Sequence, residues 1–136
     1  MIKPINRNTN TLSQKAIKTT KADAQTVTDL LDTLKAHQAD CVGMAANMIG
    51  VNKRIIVFQM GVLSVALINP IITKKSSPFS TKEGCLSLLG ERSTTRYKHI
   101  EVTYQDQNFI THQQQFSDWI AQIIQHEVDH CEGILI

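Results

Sequence analysis

The run Gln125-His126-Glu127-Val128-Asp129-His130 leaves this chain little choice of local structure. Histidines four apart share a face on a helix, and the residues before them agree. Trp119, Ile123, His126 and His130 recur at spacings of four, three and four, one stripe that turns both imidazoles toward the apolar interior. Inward histidines beside a glutamate need partners, because a buried polar group without one is costly. An H-E-x-x-H helix meets that need when both imidazoles grip one metal ion and the glutamate reaches a water beside it. An ion so held polarises carbonyls and makes water nucleophilic at neutral pH. The plainer reading is an amphipathic helix with two core or surface histidines.

A catalytic site of this kind needs a third protein ligand and one open position. The other candidates are Cys41, Cys85, Cys131, His37, His99 and His112. Cys131 adjoins His130 and is turned about 100° away on the helix, so it reads as a small buried hydrophobe. His37 follows a helix in a polar stretch, His99 alternates with Ile100 and Val102, and His112 precedes three glutamines. All three read as exposed. Cys85 sits in Glu83-Gly84-Cys85-Leu86-Ser87, where glycine permits close backbone approach, but taken alone it too reads as a core cysteine. The residues by themselves leave the third ligand open.

The rest of the chain bounds the fold. Its 136 residues suit a single domain, 1–136, with one core. A net charge of +2 with scattered Lys and Arg excludes an electrostatic case for nucleic acid or an acidic membrane. No apolar run is long enough to span a bilayer, and no signal-like segment opens the chain. Three cysteines, an odd number, suit reduced thiols and a cytoplasmic location. Residues 1–10 read as an irregular arm. Thr20 to Asp23 fits a capping box ahead of a helix to about Ala36, with Val27, Leu30, Leu31 and Leu34 as its stripe. Residues 41–50 read as a tight backbone segment. Strands are expected at 54–60, at 65–68 with a stop at Asn69-Pro70, at 100–104 and in short form near 109–111. A surface loop is expected at 74–79. Ser117 is expected to cap the last helix, which Gly133 ends. Two helices with short-looped strands predict an α+β class, mostly antiparallel and packed around the C-terminal helix.

Gly43-Met44-Ala45-Ala46, Glu83-Gly84-Cys85-Leu86-Ser87 and Gln125-His126-Glu127-Val128-Asp129-His130 together resemble the three motifs of peptide deformylases, in the family's order. The resemblance implies removal of the formyl group from the initiator methionine of new polypeptides. It implies one divalent metal ion on Cys85, His126 and His130, with Fe(II) expected and Zn, Ni or Co as alternatives. Glu127 becomes the general base and acid, and the Leu86 backbone N–H an oxyanion donor. The implied substrate wall comprises Val42, Gly43, Met48, Glu83, Gly84, Arg92, Trp119 and Ile123. The implied partner is an N-formylmethionyl peptide met by a monomer, with transient ribosome contact.

The first motif departs from the pattern. The family reads Gly-x-Gly-x-Ala-Ala-x-Gln; this chain reads Cys41-Val42-Gly43-Met44-Ala45-Ala46-Asn47-Met48. Met48 takes the place of a glutamine that donates to the oxyanion, and a thioether has no hydrogen to give. Cys41 replaces a glycine, and Asn47 the usual proline. The chain also stops right after the metal helix, which resembles a short, divergent branch of the family. Three readings follow: a deformylase of lowered activity, a non-catalytic metal protein that binds formylated or other N-termini, and a metallopeptidase. Glu127 favours the first, Met48 the second, and a cysteine ligand weakens the third.

Overall fold

A computed structural model describes all residues 1–136. The helices are α1 (Thr9–Leu12), α2 (Ala24–Ala36) and α3 (Asp118–Cys131). The strands are β1 (Gly43–Ala45), β2 (Ile55–Met60), β3 (Leu63–Cys85), β4 (Leu88–Gln105) and β5 (Thr111–Ser117). They form one sheet in the order β1-β2-β3-β4-β5, every neighbouring pair antiparallel. No helix is long and apolar enough to cross a membrane.

The sheet is covered on both faces near β2, and the pleat explains how. Ile55, Ile56, Val57 and Phe58 are all fully buried. Successive side chains point to opposite faces. Ile55 and Val57 therefore join Val27, Leu30 and Leu34 of α2 in one apolar cluster. Ile56 and Phe58 join Ile123, Ile124 and Val128 of α3 in the other. Phe58 meets Phe116 edge-on, ring centroids 6.2 Å apart. The run 41–50 is as tight as expected: β1 leads into a 3₁₀ turn, Ala46–Ile49, closed by Gly50 at φ 82°.

Four expectations need correction. The strand beginning near Val65 does not stop at Asn69-Pro70. Asn69 takes φ 51° in a bulge, where the register shifts between Ile68 and Ile71. Its side chain accepts from Thr19 N–H at 2.8 Å and donates to Gln105 Oε1 at 2.8 Å, so the proline interrupts the ladder without ending it. Residues 74–79 are not a loop; they pair with β4 from Lys74–Glu101 to Phe79–Arg96. Their backbone bonds are met across the ribbon whatever the side chains, and the exposed side chains carry no apolar alternation to reveal it. The last strand runs over Thr111–Ser117, glutamines included, because β5 is an edge with largely solvated side chains. Ser117 stands at the N-cap of α3, but its hydroxyl faces His99 Nδ1 at 3.1 Å and makes no cap bond.

The capping box before α2 forms as expected, with Asp23 Oδ2 accepting from Thr20 N–H at 2.8 Å. The end of α3 is a full Schellman motif. Ile134 N–H reaches Asp129 O at 2.9 Å and Gly133 N–H reaches His130 O at 3.1 Å, with Gly133 at φ 74°.

Candidate metal centre and active site

Two elements bring the chemistry together. β3 ends on Cys85, and α3 presents His126, Glu127 and His130. The ligand atoms of Cys85, His126 and His130 all lie within 4.8 Å of one another, and Cys85 Sγ is 3.3 Å from His130 Nε2. Zinc-like bond lengths around a tetrahedral ion put neighbouring ligand atoms about 3.5 Å apart, so this triangle is the size of a metal site. The donor set, one sulfur and two imidazoles, is that of a divalent transition metal.

The second ring of partners fixes how the imidazoles face. His126 Nδ1 is 2.8 Å from Glu83 Oε1. A carboxylate only accepts, so Nδ1 carries the proton and Nε2 is left for the ion. Glu83 is in turn held from three sides. The Arg96 guanidinium forks onto it, Nε at 3.0 and 3.1 Å and Nη2 at 2.7 Å, and Gln122 Nε2 donates at 2.9 Å. The other arm of Arg96 reaches Asp129 Oδ2 at 2.6 Å. Gln125 clamps α3 to β4, accepting from Tyr97 N–H at 2.9 Å and donating to Tyr97 O at 2.8 Å.

Electrostatics follow from burial and these bonds. Burial alone would raise Glu83, but hydrogen bonds from His126, Arg96 and Gln122 hold it at about 2. Burial opposes charge on His126, yet hydrogen bonds to Cys85 and Glu83 lift it to about 10, so the pocket favours positive charge where an ion would sit. Burial, with the nearby His126 charge, depresses His130 to about 3, leaving it neutral as a ligand must be. Burial pushes Glu127 up to about 7, near the value a general base needs at neutral pH. Its Oε1 is buried without a partner and is free to take a proton. Burial also raises Cys41 and Cys131 to about 12, so both thiols are inert.

A cavity of about 550 Å³ opens over the metal triangle. Val42, Gly43, Met48, Glu83, Gly84, Cys85, Leu86, Trp119, Ile123, His126 and Glu127 all line it. His130 lies beneath, fully buried. Arg92 is not among the lining residues; its Nη2 donates to Leu89 O at 2.7 Å. Glu83 reaches the cavity with its carboxylate already occupied by three neighbours. The Val42 carbonyl accepts from Gln59 N–H at 2.9 Å, so of the two backbone groups expected to meet a peptide, the Gly43 carbonyl is the one turned from the ladder. The Cys41 thiol sits 3.0 Å from it. Met48 is buried in the wall, and Asn47 cannot deputise, because its Nδ2 donates to His130 O at 2.9 Å.

Arg96 was not singled out from sequence, although a signal existed. It shares strand parity with Ile100 and Val102, and a cation on the inward face of a half-buried strand calls for a buried acid. Gln125 and Asp129 lay inside the motif without an assigned partner.

Comparison with known proteins agrees with this geometry. The family model for polypeptide deformylase matches residues 2–136. A peptide deformylase of Clostridium beijerinckii is 56% identical over 136 residues, covering all of both chains. The crystal structure of peptide deformylase from Thermotoga maritima superposes with a TM-score of 0.88 at 28% identity, covering 99% of this chain and 95% of that one. A class I type b peptide deformylase from Acinetobacter baumannii, bound to Met-Ala-Ser, shares the fold at a TM-score of 0.88 and 24% identity, covering 99% and 96%. With the triad, the buried glutamate and a relative matched end to end, the chain belongs to the peptide deformylase family of metal-dependent hydrolases.

Proposed function

We propose that this protein hydrolyses the N-formyl group from the N-terminal methionine of peptides, at a rate lowered by Met48. The observation that carries the reading is the buried Glu127 carboxylate, unpartnered at Oε1, beside three ligand atoms within 4.8 Å of one another. A divalent ion bound by Cys85, His126 and His130, Fe(II) by family resemblance, supplies Lewis acidity to the formyl carbonyl and to water. Glu127 takes the proton from the attacking water and passes it to the departing amine nitrogen. The C–N bond breaks, and formate and a free amino terminus leave. Glu83 holds His126 in place through Nδ1, with Arg96 and Gln122 holding Glu83.

Charge develops on the formyl oxygen during attack and needs fixed donors. The Leu86 backbone N–H is assigned here as one. The second is missing, since Met48 has no hydrogen to offer and Asn47 is committed to His130 O. Loss of one such donor costs on the order of 10²–10³ in rate. Met48 is also the feature that favours the second reading, a metal protein that binds formylated N-termini without turnover.

Deformylation of a formyl-Met peptide by anaerobically prepared, iron- or nickel-loaded protein decides between them, with Glu127→Gln beside it. The expected result is slow turnover that disappears in Glu127→Gln while stoichiometric metal is retained. Turnover undiminished in the variant would sink the role given to Glu127. None in the wild type with metal bound would shift the reading to the binding protein or to another substrate.

A further inference from the structure

We propose that Asn47 is a positioning residue for the metal centre: its side-chain amide fixes the turn of α3 that carries His130, and with it the His130 ring. This rests on the metal-centre part of the proposed function and adds to it a residue outside the cavity lining.

The two imidazoles are held in different ways. His126 is fixed through its ring, because Nδ1 meets the Glu83 carboxylate at 2.8 Å. His130 turns Nε2 toward the triangle, 3.3 Å from Cys85 Sγ, and its buried Nδ1 has no protein partner. A partner on the outer nitrogen normally sets the orientation of a ligand imidazole. For His130 that task falls to the backbone. Its carbonyl accepts from Asn47 Nδ2 at 2.9 Å, a bond between residues 83 apart in the chain. Both residues are buried, so water does not compete for it.

The bond is more than the capping of a helix end. Last-turn carbonyls lack intrahelical partners, but Gly133 N–H already meets His130 O at 3.1 Å. Packing does not account for an asparagine here either. Its Oδ1 is buried without a protein partner, a cost that an apolar side chain would not carry. The family pattern has proline at this position, which offers no N–H, so the bond is this chain's own.

The amide is itself braced. Asn47 sits in the 3₁₀ turn Ala46–Ile49, and the N-terminal arm grips that turn. Asn6 N–H donates to Met48 O at 2.7 Å, and Asn6 Nδ2 donates to Asn47 O at 2.9 Å. A continuous brace thus runs from Asn6 through Asn47 to His130.

The test is cobalt(II) binding to metal-free protein, with affinity read by chelator competition and ligand geometry by the visible spectrum. Asn47→Ala should bind at least about tenfold more weakly than wild type, the scale for loss of an outer partner, and its d–d bands should shift. Asn6→Ala keeps the Asn47 amide but loosens its turn, and should bind about threefold more weakly. Val102→Ala controls for stability alone. It truncates a fully buried side chain where β4 pairs with Ile72 and Gln114, away from the brace, and should leave affinity and spectrum as in wild type. Affinity unchanged in Asn47→Ala, or weakened as much in Val102→Ala, would overturn the brace. If Asn47→Ala does not fold, Asn6→Ala decides, and unchanged affinity there overturns it. No cobalt bound by wild-type protein would remove the metal centre and the brace with it. Cobalt bound equally by all four proteins would remove the brace alone.

Discussion

A methyl group at residue 43 would stand 2.9 Å from Glu127 Oε2 and 2.8 Å from Ile123 Cγ2, so only glycine lets β1 lie this close to the Glu127 carboxylate. The same closeness buries Glu127 and raises its pKa, a backbone feature turned into chemistry. Met48 lies in the same wall and invites a direct prediction. Met48→Gln should raise kcat by at least about tenfold if a missing oxyanion donor limits the rate. A steady-state assay on a formyl-Met peptide checks it, and an unchanged kcat would place the defect in the pocket. Glu83 makes the pH prediction. Its carboxyl is held at about 2 against an ordinary 4.5, so its stabilisation is fully present above pH 4.5 and is lost as pH falls toward 2. Urea unfolding of metal-free protein across that range should show the loss. Glu83→Gln should lack this part of the acid dependence, and it should start lower by about 3 kcal/mol, because buried Arg96 then keeps only Asp129 as a charged partner.

At the scale of elements, α3 carries most of the site, and two clamps hold it in place. Its middle is fastened to β4 through Gln125 and Tyr97, and its last turn through the Arg96–Asp129 pair. Past that turn, Gly133 adopts φ 74°, and a Cβ there would fall 2.5 Å from Ser13 O. Gly133→Ala should therefore cost at least about 1–2 kcal/mol, the left-handed backbone penalty, with the clash added. Chemical denaturation measures it, and a change below 0.5 kcal/mol, about the noise of a surface substitution, would refute the assignment. The β3–β4 ribbon has the other structural task, since it carries Glu83 and Cys85 to the helix while its middle stays solvated.

Across the whole molecule, the Cys85–His126–His130 triangle joins the end of β3 to the core helix α3, elements separated by forty-five residues between Cys85 and His130. An ion that binds only this folded arrangement adds its binding free energy to stability. Stripping the metal should lower the unfolding temperature, and adding back nickel at about 1,000 times its Kd should restore about 4 kcal/mol. Differential scanning calorimetry of stripped and reloaded protein checks this, and coincident transitions would mean that the triangle forms no tight site. The clusters on the two faces of β2 do not depend on the ion, so the stripped protein should still unfold cooperatively.

Local chemistry was readable along the chain. The stripe Trp119-Ile123-His126-His130 specified a helix with inward imidazoles because helical periodicity is a property of neighbours in sequence. The α2 capping box and the Gly133 stop were legible for the same reason. Cys85 as a ligand came through resemblance rather than spacing, and tertiary structure then set its sulfur 3.3 Å from His130 Nε2. What only the tertiary structure decided are pairings between distant residues. Arg96 finds Glu83 across thirteen residues and Asp129 across thirty-three, and the ribbon over residues 74–79 exists because a second strand lies beside it. Polar, solvated strands carry no hydrophobic period. A buried ion pair leaves no mark in either partner's local sequence, because what stabilises each is a charge that folding alone brings near.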